Sequence, residues 1–260
     1  MKTIRYFGLV LITAGLSTAA FAQGMFAQRA RDPGEMLGKV FGKNTAFSAT
    51  AHTTIKTASG KELQAMEFSY AMLDGNVRTE MDLMKMHSAN MPPDAAAQMK
   101  QMGMDRTVHI FLPDKQVAYM IYPSMKAYCE MNTAQMTGQK DTKAPKVQET
   151  ELGNDTVDGH PCVKSKIVMT DDDGHKFETL VWKATDLKDF PIQSQINSED
   201  GTVITTTFQN INQSKPAASL FEPPSDFKHY ASMQELMMSN MQHMMPPRGG
   251  MEMPPHGGNE

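Results

Sequence analysis

The sequence predicts a mainly β protein with a few helices, in which a curled antiparallel sheet forms an open half-barrel under a helical lid. Three observations predict it. From Phe47 onward apolar residues recur with period two rather than 3.6, the signature of strands with one buried face. The joints between these segments are short and rich in Asp, Gly and Pro; Asp74-Gly75 is the strongest, because Asp-Gly accepts the positive φ of a tight hairpin. About ten such segments follow one another, too many for a flat sheet, so the sheet must curl and its concave apolar face needs a cover.

Taken in order, residues 1–22, MKTIRYFGLVLITAGLSTAAFA, read as a secretory signal peptide. Lys2 and Arg5 precede an apolar run from Phe7 to Leu16, too short to span a bilayer, and Ala20-Phe21-Ala22 supplies the cleavage signal. No cysteine lies near that point, so the mature chain is expected to be periplasmic, soluble and without lipid attachment. Glu35–Phe41 reads as a short helix after Pro33. The strands are then FSATAHTTIKT, LQAMEFSYAML, NVRTEMDLM, RTVHIFL, QVAYMIY, CVKSKIVM, KFETLVWKA, FPIQSQIN and TVITTTFQNIN. Between them, PPDAAAQMKQMGM at 92–104 predicts a helix, with prolines at its start and alanines within. Residues 133–146 are polar and predict an exposed loop. Beyond Pro224 the strand pattern ends, and 229–245 predicts a helix of about four turns stopped by Pro246-Pro247. The domain reading is therefore a signal peptide at 1–22, a half-barrel at 35–230, and a Met-rich helix with a low-complexity tail at 231–260.

Removing Lys2 and Arg5 with the signal takes the formal charge from −4 to −6. A mildly acidic chain with dispersed lysines excludes nucleic acid as a partner, which needs a basic face to displace counterions. No nucleophile elbow, zinc-protease helix, phosphate loop or C-x-x-C motif is present, so the reading is non-enzymatic. His109 and His175 are the strand-borne histidines that a hydrolase would use as a base. Asp171-Asp172-Asp173-Gly174 has the composition of a calcium loop without its ligand spacing, and reads as a hairpin turn. Cys129 and Cys162 are expected to form a disulfide, since an isolated pair in an oxidising compartment is usually bonded; closing that loop restricts the unfolded chain by about 3–4 kcal/mol.

Three stretches carry a family resemblance: ELGNDTVDGHPCVKSKI, TLVWKATDLKDFPIQSQI and TTTFQNINQSKPAASLFEPPSDFKHY. A T-V-D-G-x-P-C turn enters a strand, a Trp strand and an F-P edge follow, and an F-x-N-I…S-L-F-x-P-P strand closes the set. In this the chain resembles an exported family of domains of unknown function, similar to the periplasmic lipoprotein carriers and receptors of the LolA/LolB type, over residues 35–230. The resemblance implies a half-barrel around an apolar cavity, a lipid or acylated protein as cargo, and a delivery partner at the inner or outer membrane. It implies no catalytic residue.

Methionine is the compositional anomaly, at 25 of 260 residues, dense at 81–104 and 233–253. Two uses compete. As lining, unbranched polarisable thioethers reshape to acyl chains; the candidate wall residues are Met81, Leu83, Met99, Met102, Phe111, Tyr119, Ile121 and Trp182. Burying an acyl chain yields about 0.8 kcal/mol per CH₂, enough for micromolar binding. As ligands, soft thioethers suit Cu(I), and Met84, Met86 and His87, with Met241, His243 and Met244, have the spacing to wrap a copper ion. No cofactor is needed on the first reading; copper is the cofactor on the second. The segment 229–245 is expected to be an apolar cover, and the final Pro/Gly/Met/His stretch to be unstructured.

Overall fold

The computed structural model describes residues 41–244, apart from 90–91, 93, 134–145, 171–173, 175 and 199. The expected signal peptide, nearly all of the expected 35–41 helix and 133–146 loop, the acidic turn, His175 and the tail lie outside the described residues.

Two meanders build the sheet. The first runs β1 (Ala46–Lys56), β2 (Glu62–Leu73), β3 (Asn76–Asp82), β5 (Arg106–Leu112), β6 (Val117–Tyr122) and β7 (Ala127–Asn132), while the two-residue β4 (His87–Ser88) pairs aside on β2. The second runs β8 (Lys146–Val157), β9 (His160–Thr170), β10 (Lys176–Ala184), β11 (Phe190–Asn197) and β12 (Val203–Asn212). A seam joins them: β12 lies antiparallel on β1, with the Thr53 and Thr206 hydroxyls hydrogen-bonded at 2.9 Å. Finally β13 (Lys228–Tyr230) adds in parallel to β7, giving a 13-stranded sheet that runs from β13 to β8 and does not close. The joints are those the sequence marks. Asp74 (φ 50°) and Gly75 (φ 86°) turn β2 into β3 with both residues at positive φ, as a two-residue hairpin requires.

Alternation along each strand sorts the side chains into two faces. On one, Phe47 and Ala51 of β1, Phe68 and Tyr70 of β2, Val77 and Met81 of β3, and Phe208 of β12 share a core cluster with Phe41 and Phe190. The Phe47 and Phe190 rings approach to 4.8 Å although β12 lies between their strands, and Tyr70 meets Phe208 at 5.5 Å across β1. Strands two steps apart are about 9.6 Å apart, so these rings lean towards one another over the face around which the unclosed sheet curls. The opposite face of the first meander carries a smaller cluster, Ala71, Leu73, Val108, Ile110, Leu112 and Ile121, under Phe221 and Phe227 of the segment that follows β12.

Among the described residues two helices accompany the sheet, α1 (Ala95–Gln101) and α2 (Met233–Met244). Each is shorter than the pattern predicts. α2 starts late because residues 228–230 are taken as strand β13, and the helix is capped where Ser232 Oγ accepts from the Glu235 amide at 3.1 Å. Glu235 reaches back to accept from the Ala231 amide at 2.9 Å, which closes a reciprocal cap.

The expected disulfide is a correction. Cys129 and Cys162 are both buried and free. They lie on β7 and β9, near opposite ends of the strand order, and pack in different clusters. A bridge needs Cα atoms within about 7 Å, which that separation prevents.

Candidate binding site on the concave face

One cross-strand row crosses the concave face of the first meander. Register places Tyr70 opposite Thr79, Thr79 opposite His109, His109 opposite Met120, Met120 opposite Cys129, and Cys129 opposite Tyr230. Neighbouring rows set Phe68 by Met81 and Met81 by Thr107, then Val77 by Phe111 and Phe111 by Ala118. The two ends of this face differ in chemistry. Towards β1 it is the aromatic cluster. Towards β7 it is sulfur-rich: Met120, Tyr122, Ala127, Cys129, Tyr230 and Leu236 form a core, with Met104, Met125, Met131, Met233 and Met237 packed on it.

α2 is the cover at that end. Leu236 is buried to 1 % exposure, and the Tyr122 hydroxyl donates to Met120 Sδ at 2.8 Å and reaches Met233 Sδ at 3.5 Å. The Tyr230 and Ser239 hydroxyls share a hydrogen bond at 3.0 Å, and the Asn240 amide donates to the Met102 carbonyl at 2.8 Å, which ties α2 to the end of α1. Met99 on α1 packs against the aromatic cluster and Met104, just beyond it, against the sulfur-rich one. Burial, then the carboxylate of Glu235, pushes the Cys129 thiol up to about 11, so it is an inert apolar filler rather than a nucleophile.

Between the two ends this face carries two polar side chains, His109 and Thr107. His109 is half-buried, and the protein around it desolvates the imidazole enough to hold its pKa down to about 4. It makes no side-chain hydrogen bond or ion pair among the described residues. Thr107, two residues away on the same face, has the one buried side-chain oxygen or nitrogen among the described residues that lacks a hydrogen-bond partner. On the other face of β3 and β5, Arg78 and Arg106 both bind Glu80, the first at 2.9 Å. Burial works to raise the Glu80 pKa, but the two guanidiniums lower it more.

The predicted wall residues divide. Met81, Leu83 and Trp182 are buried in the first cluster, and Phe111 and Met99 pack partly exposed against it. Trp182 also donates from Nε1 to Asp155 at 2.8 Å and carries the Lys164 ammonium 4.7 Å over its ring. Met102 ends α1, half-buried, its carbonyl held by Asn240. Tyr119 and Ile121 lie on the opposite face, opposite Ile110 and Val108, because β6 alternates and Met120 is the residue that points inward. Of the copper candidates, Met84 and His87 are exposed, while Met86 tucks against the core with the Gln64 amide donating to its sulfur at 3.1 Å. The side chains of Met241, His243 and Met244 lie outside the described residues, and no group of three or more His, Cys, Asp or Glu gathers as a metal site among the described ones. Thr107 went unremarked in the sequence, although in RTVHIFL it shares the period-two face of His109 and Phe111.

Residues 54–191, just over half of the chain, match the model of one family, described as a domain of unknown function (DUF4412). The chain belongs to that family. No curated protein matches it. Among solved structures it is similar to LprF from Mycobacterium bovis, at 13% identity and TM-score 0.37 over 75% of this chain and 97% of that one. It is also similar to LolA superfamily protein NE2245 from Nitrosomonas europaea, at 10% and 0.34 over 72% and 94%. Lipoprotein LppX from Mycobacterium tuberculosis matches at 9% and 0.35 over 76% and 96%. No helix among the described residues is long and apolar enough to cross a membrane.

Proposed function

We propose that this member of the DUF4412 family is a non-enzymatic periplasmic protein that holds a lipid or acylated protein cargo on its concave face. One observation carries the reading: on the face that holds the aromatic and sulfur-rich clusters, apolar residues such as Phe111, Met99 and Met131 keep accessible surface beside the cores they pack on. An apolar concavity of this kind is the usual setting of a small-molecule site. Methionine suits it because thioether side chains change shape at little cost and follow a chain of variable length. The leader read from residues 1–22 supports export, and with it encounter with membrane lipid. Purified mature protein should show co-purified lipid by native mass spectrometry. After delipidation it should take up the neutral probe N-phenyl-1-naphthylamine and release it to a competing long-chain lipid. Failure of both, with the protein folded, overturns the reading.

A further inference from the structure

Where β4 lies on β2, two methionine sulfurs converge on one point. Gln64 pairs opposite Ser88 and Ala65 opposite His87, and the same register carried one step on sets Met66 opposite Met86. Met66 is buried in the aromatic cluster, and Met86 packs half-buried against that cluster. The Gln64 side-chain amide, two residues back on the same face of β2, donates to Met66 Sδ at 3.3 Å and to Met86 Sδ at 3.1 Å. An electropositive NH₂ group therefore stands between two thioethers.

We propose that this pair binds a soft monovalent cation of the Cu(I) class, with Met66 and Met86 as its sulfur donors and the Gln64 amide as the group it displaces. A thioether is a weak hydrogen-bond acceptor but a good ligand for Cu(I), so the exchange replaces two poor contacts by two favourable ones. A closed-shell ion of this kind accepts two donors in line. The sulfurs already lie in contact with a common nitrogen, and the three rotatable bonds of each methionine allow them to close on an ion there. The point is reachable, because Gln64 is half-buried and its amide swings out to water as the ion enters.

The donor set decides which ion fits. Harder ions take imidazole and carboxylate, and no group of three or more His, Cys, Asp or Glu gathers among the described residues. His87 alternates away from Met86 and Met84 is exposed, so the partner that the structure gives Met86 is Met66, from another strand. The Lys85 ammonium, between Met84 and Met86 in sequence, is turned to Glu67 at 3.6 Å, and Glu67 alternates onto the opposite face from Met66.

The test uses the mature chain with ¹³C-labelled methionine methyls, titrated with Ag(I), which shares the softness of Cu(I) and is stable in air. Met66→Leu and Met86→Leu assign the two resonances at little cost in packing. Both methyls should shift together along one binding curve, whatever the other methionines do, and Zn(II) or Mg(II) should leave them in place. Anaerobic Cu(I) should move the same pair. Each leucine variant should abolish the shift of the remaining methyl; should Met66→Leu fail to fold, Met86→Leu decides alone. Gln64→Ala removes the competing donor and should tighten the curve by roughly 2- to 10-fold, the worth of a net hydrogen bond. Methyls of Met66 and Met86 that stay in place under Ag(I), or a Met66 shift that survives Met86→Leu, overturn the site. A weaker curve in Gln64→Ala overturns the displacement. The lipid reading is decided separately, by probe uptake, and stands or falls without this site.

Discussion

Replacing His109 with leucine should flatten the acid sensitivity of folding. In the folded protein burial holds the imidazole neutral until about pH 4, against an ordinary value of 6.5. The unfolded chain takes up the proton first. Its stabilising contribution is therefore complete above about pH 6.5 and is lost as pH falls towards 4. At about 1.4 kcal/mol per pKa unit the gap amounts to about 3 kcal/mol, of which about 2 kcal/mol disappears between pH 7.5 and 4.5. For a domain of this size that is a fall of about 4–8 °C in Tm. Glu80 and Glu149 have lowered pKa values, so their contributions are lost at more acid pH and are common to both proteins. Urea unfolding of the parent and His109→Leu at pH 7.5, 6.5, 5.5 and 4.5 measures the difference directly. Parallel pH profiles would refute the claim that the fold desolvates His109.

Other substitutions probe the frame. Phe47→Ala removes a fully buried ring that meets Phe41, Tyr70, Phe190 and Phe208, and should cost about 3–5 kcal/mol by urea unfolding. Gly103→Ala forces a side chain onto φ +72° with its Cβ 2.8 Å from Met125 Cγ, and should cost about 1–3 kcal/mol in the same assay. Ser232→Ala deletes the α2 cap and should cost about 1 kcal/mol, seen first as faster hydrogen exchange along 233–240.

Fold class was legible in the sequence because one-sided burial writes itself as period two, and nine strand segments obeyed it. β8 was not, since every residue but Val157 is exposed on both faces; a solvated edge strand carries no apolar alternation. β13 was hidden in a stretch read as helix, where only pairing with β7 makes three residues extended. The cap of α2 was present as S-M-Q-E at 232–235 and marks the true start of the helix. At the site, choosing Phe111 on β5 implied Thr107 and His109 by alternation. Choosing Tyr119 and Ile121 on β6 required the register with β5, which no single strand contains. The disulfide expectation failed because compartment says whether cysteines oxidise, whereas only topology says whether they meet.

The seam between the meanders sets the order of assembly. Thr53 and Thr206, which bond across it, are 153 positions apart, so the strand made first waits for one of the last before its outer edge is satisfied. Closing so long a loop is entropically slow, and until it happens β1 offers bare amides and carbonyls to any passing chain. A protein made N-terminus first meets that hazard during every synthesis, and a chain halted before residue 203 should never escape it.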